Sequence, residues 1–222
     1  MKSFLKVIYA LSVVIVISVI GYDYLIRELK FVFINLSYSN SRSIVLAKLF
    51  ILPILTGLIL AISHQLAPSY SLKNILHLQF LKWKHVVKWI LILVVYLGIY
   101  TFLAWGSLPK YIFHEDRSIQ TLVFYFMATC LLVPFFEEIT CRGFLFKALE
   151  IAKMDLFWVV IIVTFVFAFA HGPNGLFLLP VSFIYTYARY KTNSTALSIL
   201  LHFLNNFIVF IIQIYLLFNT QV

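Results

Sequence analysis

The stretch PFFEEITCRGFLF, residues 134–146, follows TLVFYFMATCLLV and so puts Glu137, Glu138 and Arg142 directly after side chains suited to lipid. A charged group at membrane depth costs about 2.5–3.5 kcal/mol on the gentler insertion scale, so it is kept for a task or held by a partner. Composition supports the membrane reading: of 222 residues 63% are apolar and 11% charged, far from the usage of a soluble domain. Crossing the hydrocarbon layer takes about 20 apolar residues per helix. Runs of that kind lie near Phe4 to Leu25, Ile44 to Leu66, Val86 to Leu108, Ser118 to Phe136 and Thr195 to Phe218, and a shorter pair covers Leu156 to Ala170 and Leu176 to Tyr190. The expected fold is all-α, a polytopic transmembrane helical bundle of about seven spans with a buried polar site.

The chain reads as one integral membrane domain, 1–222, with N-terminal helices in 1–117 and a polar core in 118–218. The first run follows Lys2 and Lys6 but leads into YDYLIRELK without a small-residue cleavage pattern, so it reads as an anchor. Segments 27–43 and 67–85 read as polar connectors. The net charge of +9 is spread through loops and membrane edges, which argues against a nucleic-acid surface. It fits orientation better. With the N-terminus in the cytoplasm, the larger basic share falls inside, and Arg27, Lys30, Arg42, Lys48, Lys110 and Arg117 fall outside. Cys130 and Cys141 both belong to the fourth run and its edge; a structural disulfide is not expected, and each reads as a small apolar residue.

The polar residues inside apolar runs cluster in the second half: Glu137, Glu138, Arg142, His171, His202, Asn205 and Asn206. Glu138 and Arg142 are four apart with the acid on the N-terminal side, the better orientation for an ion pair. Glu137 lies about 100° further round the helix, above Cys141, with no local counterion. Apolar surroundings and a neighbouring carboxylate both disfavour its charged form, which suits a group that accepts and returns a proton. Glu137 therefore reads as the working acid/base, and Glu138 with Arg142 as its brace. His202 and Asn206 share a helical face and can both donate to a developing oxyanion. Phe167 and His171 repeat the four-residue spacing. Such a set describes either water activation or a metal site. His64, His77, His85 and His114 lie at span ends or in loops and read as surface residues.

With E-E-x-x-x-R at Glu137, Glu138 and Arg142, F-x-x-x-H at Phe167 and His171, and H-x-x-x-N at His202 and Asn206, the chain resembles the CPBP group. That group holds the type II CAAX prenyl endopeptidases and the bacteriocin-processing, Abi-like membrane proteins, and the resemblance covers roughly residues 118–210. It implies a metal-independent glutamic peptidase of a bacterial cell membrane. Glu137, helped by His171, would activate water; His202 and Asn206 would hold the oxyanion; Glu138 and Arg142 would keep the site in shape. No cofactor is implied, with zinc at Glu137, His171 and His202 as the alternative; HExxH is absent. The implied partners are the bilayer and a peptide or protein substrate at the membrane, prenylated or bacteriocin-related. The rival reading is a non-enzymatic bacteriocin self-immunity or scaffold protein. A transporter would also bury such groups, but there is no inverted repeat.

Depth poses a conflict. Simple span counting sets Glu137 near the inner end of the fourth run and His171 near the outer end of the fifth. The fifth and sixth runs are short, joined by HGPNG, so this turn is expected below the membrane surface, lining protein or water. Pro134 is expected to bend the fourth run, RGFLFKALEIAK to continue as an interfacial helix, and the site to open to the cytoplasmic side.

Overall fold

The computed structural model describes residues 2–66, 82–104, 118–172 and 175–219, which form seven helical rods. No strand occurs among the described residues. Rod α1 joins Lys2–Val16 through a π-helical stretch, Ile17–Tyr24, to Leu25–Asn35. Rods α2 and α3 are Asn40–Leu66 and Trp83–Ala104. Rod α4 runs from Ile119 to Ile151 and is π-helical at Phe126–Leu132 and Ile139–Leu145. Rods α5, α6 and α7 are Leu156–Phe169, Gly175–Thr192 and Thr195–Asn219. Five of the rods are long and apolar enough to cross a membrane. The chain is an integral membrane protein of helical-bundle architecture.

Local chemistry sets the breaks. Ser118 caps α4 by accepting from the Thr121 amide at 3.3 Å, and Asp155 caps α5 by accepting from the Phe157 amide at 2.8 Å, each satisfying an N-terminal N–H that the helix leaves free. Ser37, Lys153 and Asn193 carry positive φ at the ends of α1, α4 and α6, where left-handed residues stop helices. Pro134 lacks an amide proton and follows directly on the first π stretch of α4, where the regular ladder is already interrupted.

Three expectations need correction. First, α1 does not end near Leu25: backbone hydrogen bonding continues to Asn35, and the described connector to α2 is only 36–39. Arg27 and Lys30 are therefore helical, and Arg42 and Lys48 lie in α2, not in a loop. Second, α4 does not stop at Phe136. Third, its later part is not interfacial, because Arg142 through Phe146 are all buried where α1 and α5 pack around them. Apolarity ends at a charge; a helix ends only where its backbone bonds do. Residues 67–81, 105–117 and 173–174, with His77, His114, Ser107 and part of HGPNG, lie outside the described residues.

Two apolar packing centres flank the polar core. Leu52, Leu55 and Ile59 of α2 meet Phe136, Leu145 and Leu149 of α4 and Val159, Val163 and Phe167 of α5. On the other side Trp89 and Leu93 of α3 meet Val181 and Tyr185 of α6 and Leu197 and Leu201 of α7. Gly175 matters at the start of α6: a Cβ there would collide with the Ala168 carbonyl of α5, so glycine lets the α5–α6 hairpin close tightly beside His171.

Candidate active site

Arg142 is the anchor of the polar core. Its Nη1 donates to Glu138 Oε1 at 3.0 Å, its Nε to Thr186 Oγ1 at 3.1 Å, and its Nη2 to the Ser182 carbonyl at 3.0 Å and Ser182 Oγ at 2.7 Å. The guanidinium also lies over the Phe167 ring, 4.1 Å from its centroid. Both members of the Glu138–Arg142 pair are 0% exposed. Removing two charges from solvent is costly, and this pair survives because nearly every donor of the fork finds an acceptor. The expected ion pair is present.

The brace extends further than spacing suggests. His202 Nδ1 hydrogen bonds with Glu138 Oε1 at 2.9 Å, and its ring stacks on Tyr185 and meets the edge of Phe167. Glu138 thus fixes both Arg142 and the orientation of His202, as a carboxylate behind an imidazole does in catalytic and metal sites.

Glu137 is treated differently. One of its oxygens, Oε2, lies 3.7 Å from His171 Nε2 and 3.9 Å from His202 Nε2, too far for direct hydrogen bonds. The same oxygen is buried and has no hydrogen-bond partner among the described residues. His171 Nδ1 hydrogen bonds with the Phe167 carbonyl at 2.8 Å. In both rings Nδ1 faces an acceptor, so the neutral tautomer turns the Nε2 lone pair toward Glu137. Three acceptors then converge on one point. A bridging water donates to two of the three at a time, at separations where such a molecule is expected.

The depth conflict disappears with this geometry. Rod α5 has 14 residues, about 21 Å of helix, too short to carry His171 across a full bilayer. The turn therefore brings His171 beside Glu137. Gly172, with φ +68°, takes the left-handed conformation that turns the chain there.

Asn206 is on the same side of α7 as His202 but two turns of α4 away from Glu137. Its Nδ2 donates to the Thr129 carbonyl at 2.9 Å, and its Oδ1 accepts from Asn205 at 3.1 Å. It makes no hydrogen bond to Glu137, and one of its two N–H groups is committed to the α4 backbone. Cys130 and Cys141 are both free and buried. His64 is exposed, and so is His85 at the start of α3.

Zinc can be tested against the donor set. Tetrahedral ligands at 2.0–2.1 Å from zinc stand about 3.3 Å apart, closer than the 3.7 and 3.9 Å found here. No three His, Cys, Asp or Glu residues are placed to hold an ion among the described residues.

Glu137 and His171 open onto a cavity of about 540 Å³ whose far wall comes from α1, with Ser18, Tyr22 and Asp23. Tyr22 stacks on Phe136, centroids 6.0 Å apart. Sequence reasoning misses this wall because Asp23 stands at the end of the first apolar run; a carboxylate within reach of lipid is the signal. It also missed Ser182, Tyr185 and Thr186, a polar and aromatic stripe at helical spacing in α6. The three π-helical stretches among the described residues abut the site, supplying Asp23, the Thr129 carbonyl, and Thr140 to Arg142, and such turns are frequent at functional sites.

Residues 119–208 match a family model described as Rce1-like, type II CAAX prenyl endopeptidase Rce1-like. No curated protein and no solved structure matches the chain. The matched segment holds Glu137, Glu138, Arg142, Phe167, His171, His202 and Asn206, and leaves out α1, α2 and α3. The segment of this membrane protein that carries the polar site is similar to the Rce1-like family of type II CAAX prenyl endopeptidases.

Proposed function

We propose that the protein is an intramembrane endopeptidase that hydrolyses a peptide bond in a peptide or membrane-associated protein by direct attack of water. The observation that carries this reading is the meeting of one orphaned oxygen of Glu137 with Nε2 of two histidines at 3.7 and 3.9 Å, on the wall of a cavity large enough for a peptide segment.

Glu137 takes a proton from water as the oxygen attacks the scissile carbonyl carbon, and later returns that proton to the leaving amine. His171 holds the water through Nε2. His202 faces the oxyanion with Nε2, its ring held in place by Glu138 behind Nδ1. Asn206 serves the oxyanion only through its second N–H, so its part is smaller than that of His202. Glu138 and Arg142 are positioning residues. The chemistry runs without a metal, and the N-terminus faces the cytoplasm.

Glu137→Gln keeps the shape and removes the base. Purified protein in detergent or liposomes is expected to lose cleavage of an apolar peptide pool while keeping its abundance and thermal midpoint. Wild-type cleavage that persists in this variant overturns the glutamate mechanism and favours a scaffold or immunity role. Activity that vanishes on chelation and returns with zinc would overturn metal independence.

A further inference from the structure

The catalytic cavity is built from two parts of the chain, and the part outside the family match carries an unused charge. Asp23, in the π-helical stretch of α1, lines the cavity opposite Glu137 and His171. It is exposed and makes no salt bridge among the described residues. Among the described residues no Lys or Arg lines the cavity. Lys48 of α2 lies 6.0 Å from the centroid of the Tyr22 ring, within electrostatic reach of Glu137. Glu137 has its two histidines; Asp23 has no such partner. Around it stand Tyr22, Phe136, Phe167 and Phe169, whose ring faces suit both an alkyl stem and a cationic head.

The geometry points to Asp23 as a specificity-determining residue that selects substrates with a lysine or arginine beside the scissile bond. This rests on the endopeptidase reading above and deepens it. A basic side chain entering the cavity passes along the aromatic wall and sets its charge against Asp23, which fixes the register of the peptide relative to Glu137. An acidic side chain in the same place meets two carboxylates. Because Asp23 is not enclosed by protein, the preference is modest, about fivefold, and it shrinks as salt screens the pair.

The test uses the full chain and apolar peptides that differ by one Lys, Gln or Glu at each position near the cut, with cleavage sites read by mass spectrometry. Wild type is expected to favour Lys over Gln by about fivefold in kcat/KM at one position and to cut the Glu peptide least. Asp23→Asn should bring the Lys-to-Gln ratio of kcat/KM down to about one, and Asp23→Lys should invert it. A preference unchanged in Asp23→Asn overturns the proposal. A second measurement stands apart from turnover. In Glu137→Gln, binding of the fluorescent Lys peptide should exceed that of the Glu peptide, and adding Asp23→Asn should erase the difference; equal binding, or none, overturns the proposal. Cleavage that persists in Glu137→Gln with this binding difference intact would sink only the catalytic reading, so the two failures are distinguishable.

Discussion

Two consecutive glutamates on α4 live in opposite environments. Glu138 is fully buried, held at 3.0 Å by Arg142 and at 2.9 Å by His202, and its neighbours Ser182 and Thr186 complete the Arg142 fork. Glu137, one residue along, faces a cavity and is met only at 3.7 and 3.9 Å. One residue of helix turns a side chain by about 100°, enough to send one carboxylate into the packing between α4, α6 and α7 and the other to the wall shared by α1 and α5. A saturated charge holds a shape; an unsaturated one is left able to exchange a proton.

The comparison breaks most sharply by removing the base. Glu137→Gln should lower turnover by about a thousandfold, the middle of the range for general-base catalysis, with the melting midpoint unchanged. Arg142→Met attacks the other side. It strands a buried carboxylate and should cost about 3–5 kcal/mol of stability, seen as lost abundance and a lower thermal midpoint. Pairing it with Glu138→Leu should recover most of that stability, since a matched apolar pair replaces a matched charged one. Activity should stay low, because His202 has lost its anchor. If the double variant is fully active, Glu138 does not position His202.

Smaller effects sharpen the contrast. His171 is one-third exposed, so His171→Gln should leave stability nearly unchanged while reducing kcat by about tenfold to a hundredfold. Asn206→Ala should cost about 1 kcal/mol by releasing the Thr129 carbonyl, and should reduce the rate far less than loss of a full oxyanion donor, which costs about a hundredfold or more. A rate loss at Asn206 as large as that at Glu137 would mean that its amide turns from Thr129 to the substrate during the reaction.

Much of the site was legible in the chain because its signals are local. Glu138 and Arg142 pair over one helical turn, so their spacing alone announced the bond. The cost of charge in lipid singled out Glu137, His171 and His202 without any knowledge of what they face. Helix lengths beyond the apolar stretches were less legible: α1 runs on past Arg27 and Lys30, and α4 past Arg142, because hydropathy records what lipid tolerates and not where hydrogen bonding ends. The wall of the cavity was legible only as a carboxylate near lipid, since Ser18, Tyr22 and Asp23 reach Glu137 across more than a hundred residues of chain.

The sequence by itself determined that this is a helical membrane protein of about seven apolar runs with an acid, its braced neighbour and two histidines. Composition and helical period carry those facts within single segments. The tertiary structure alone decided that His202 answers first to Glu138, that a short α5 brings His171 level with Glu137, and that α1 closes the cavity with Asp23. Each is a meeting of side chains from separate helices, fixed by packing, which no spacing along one helix records.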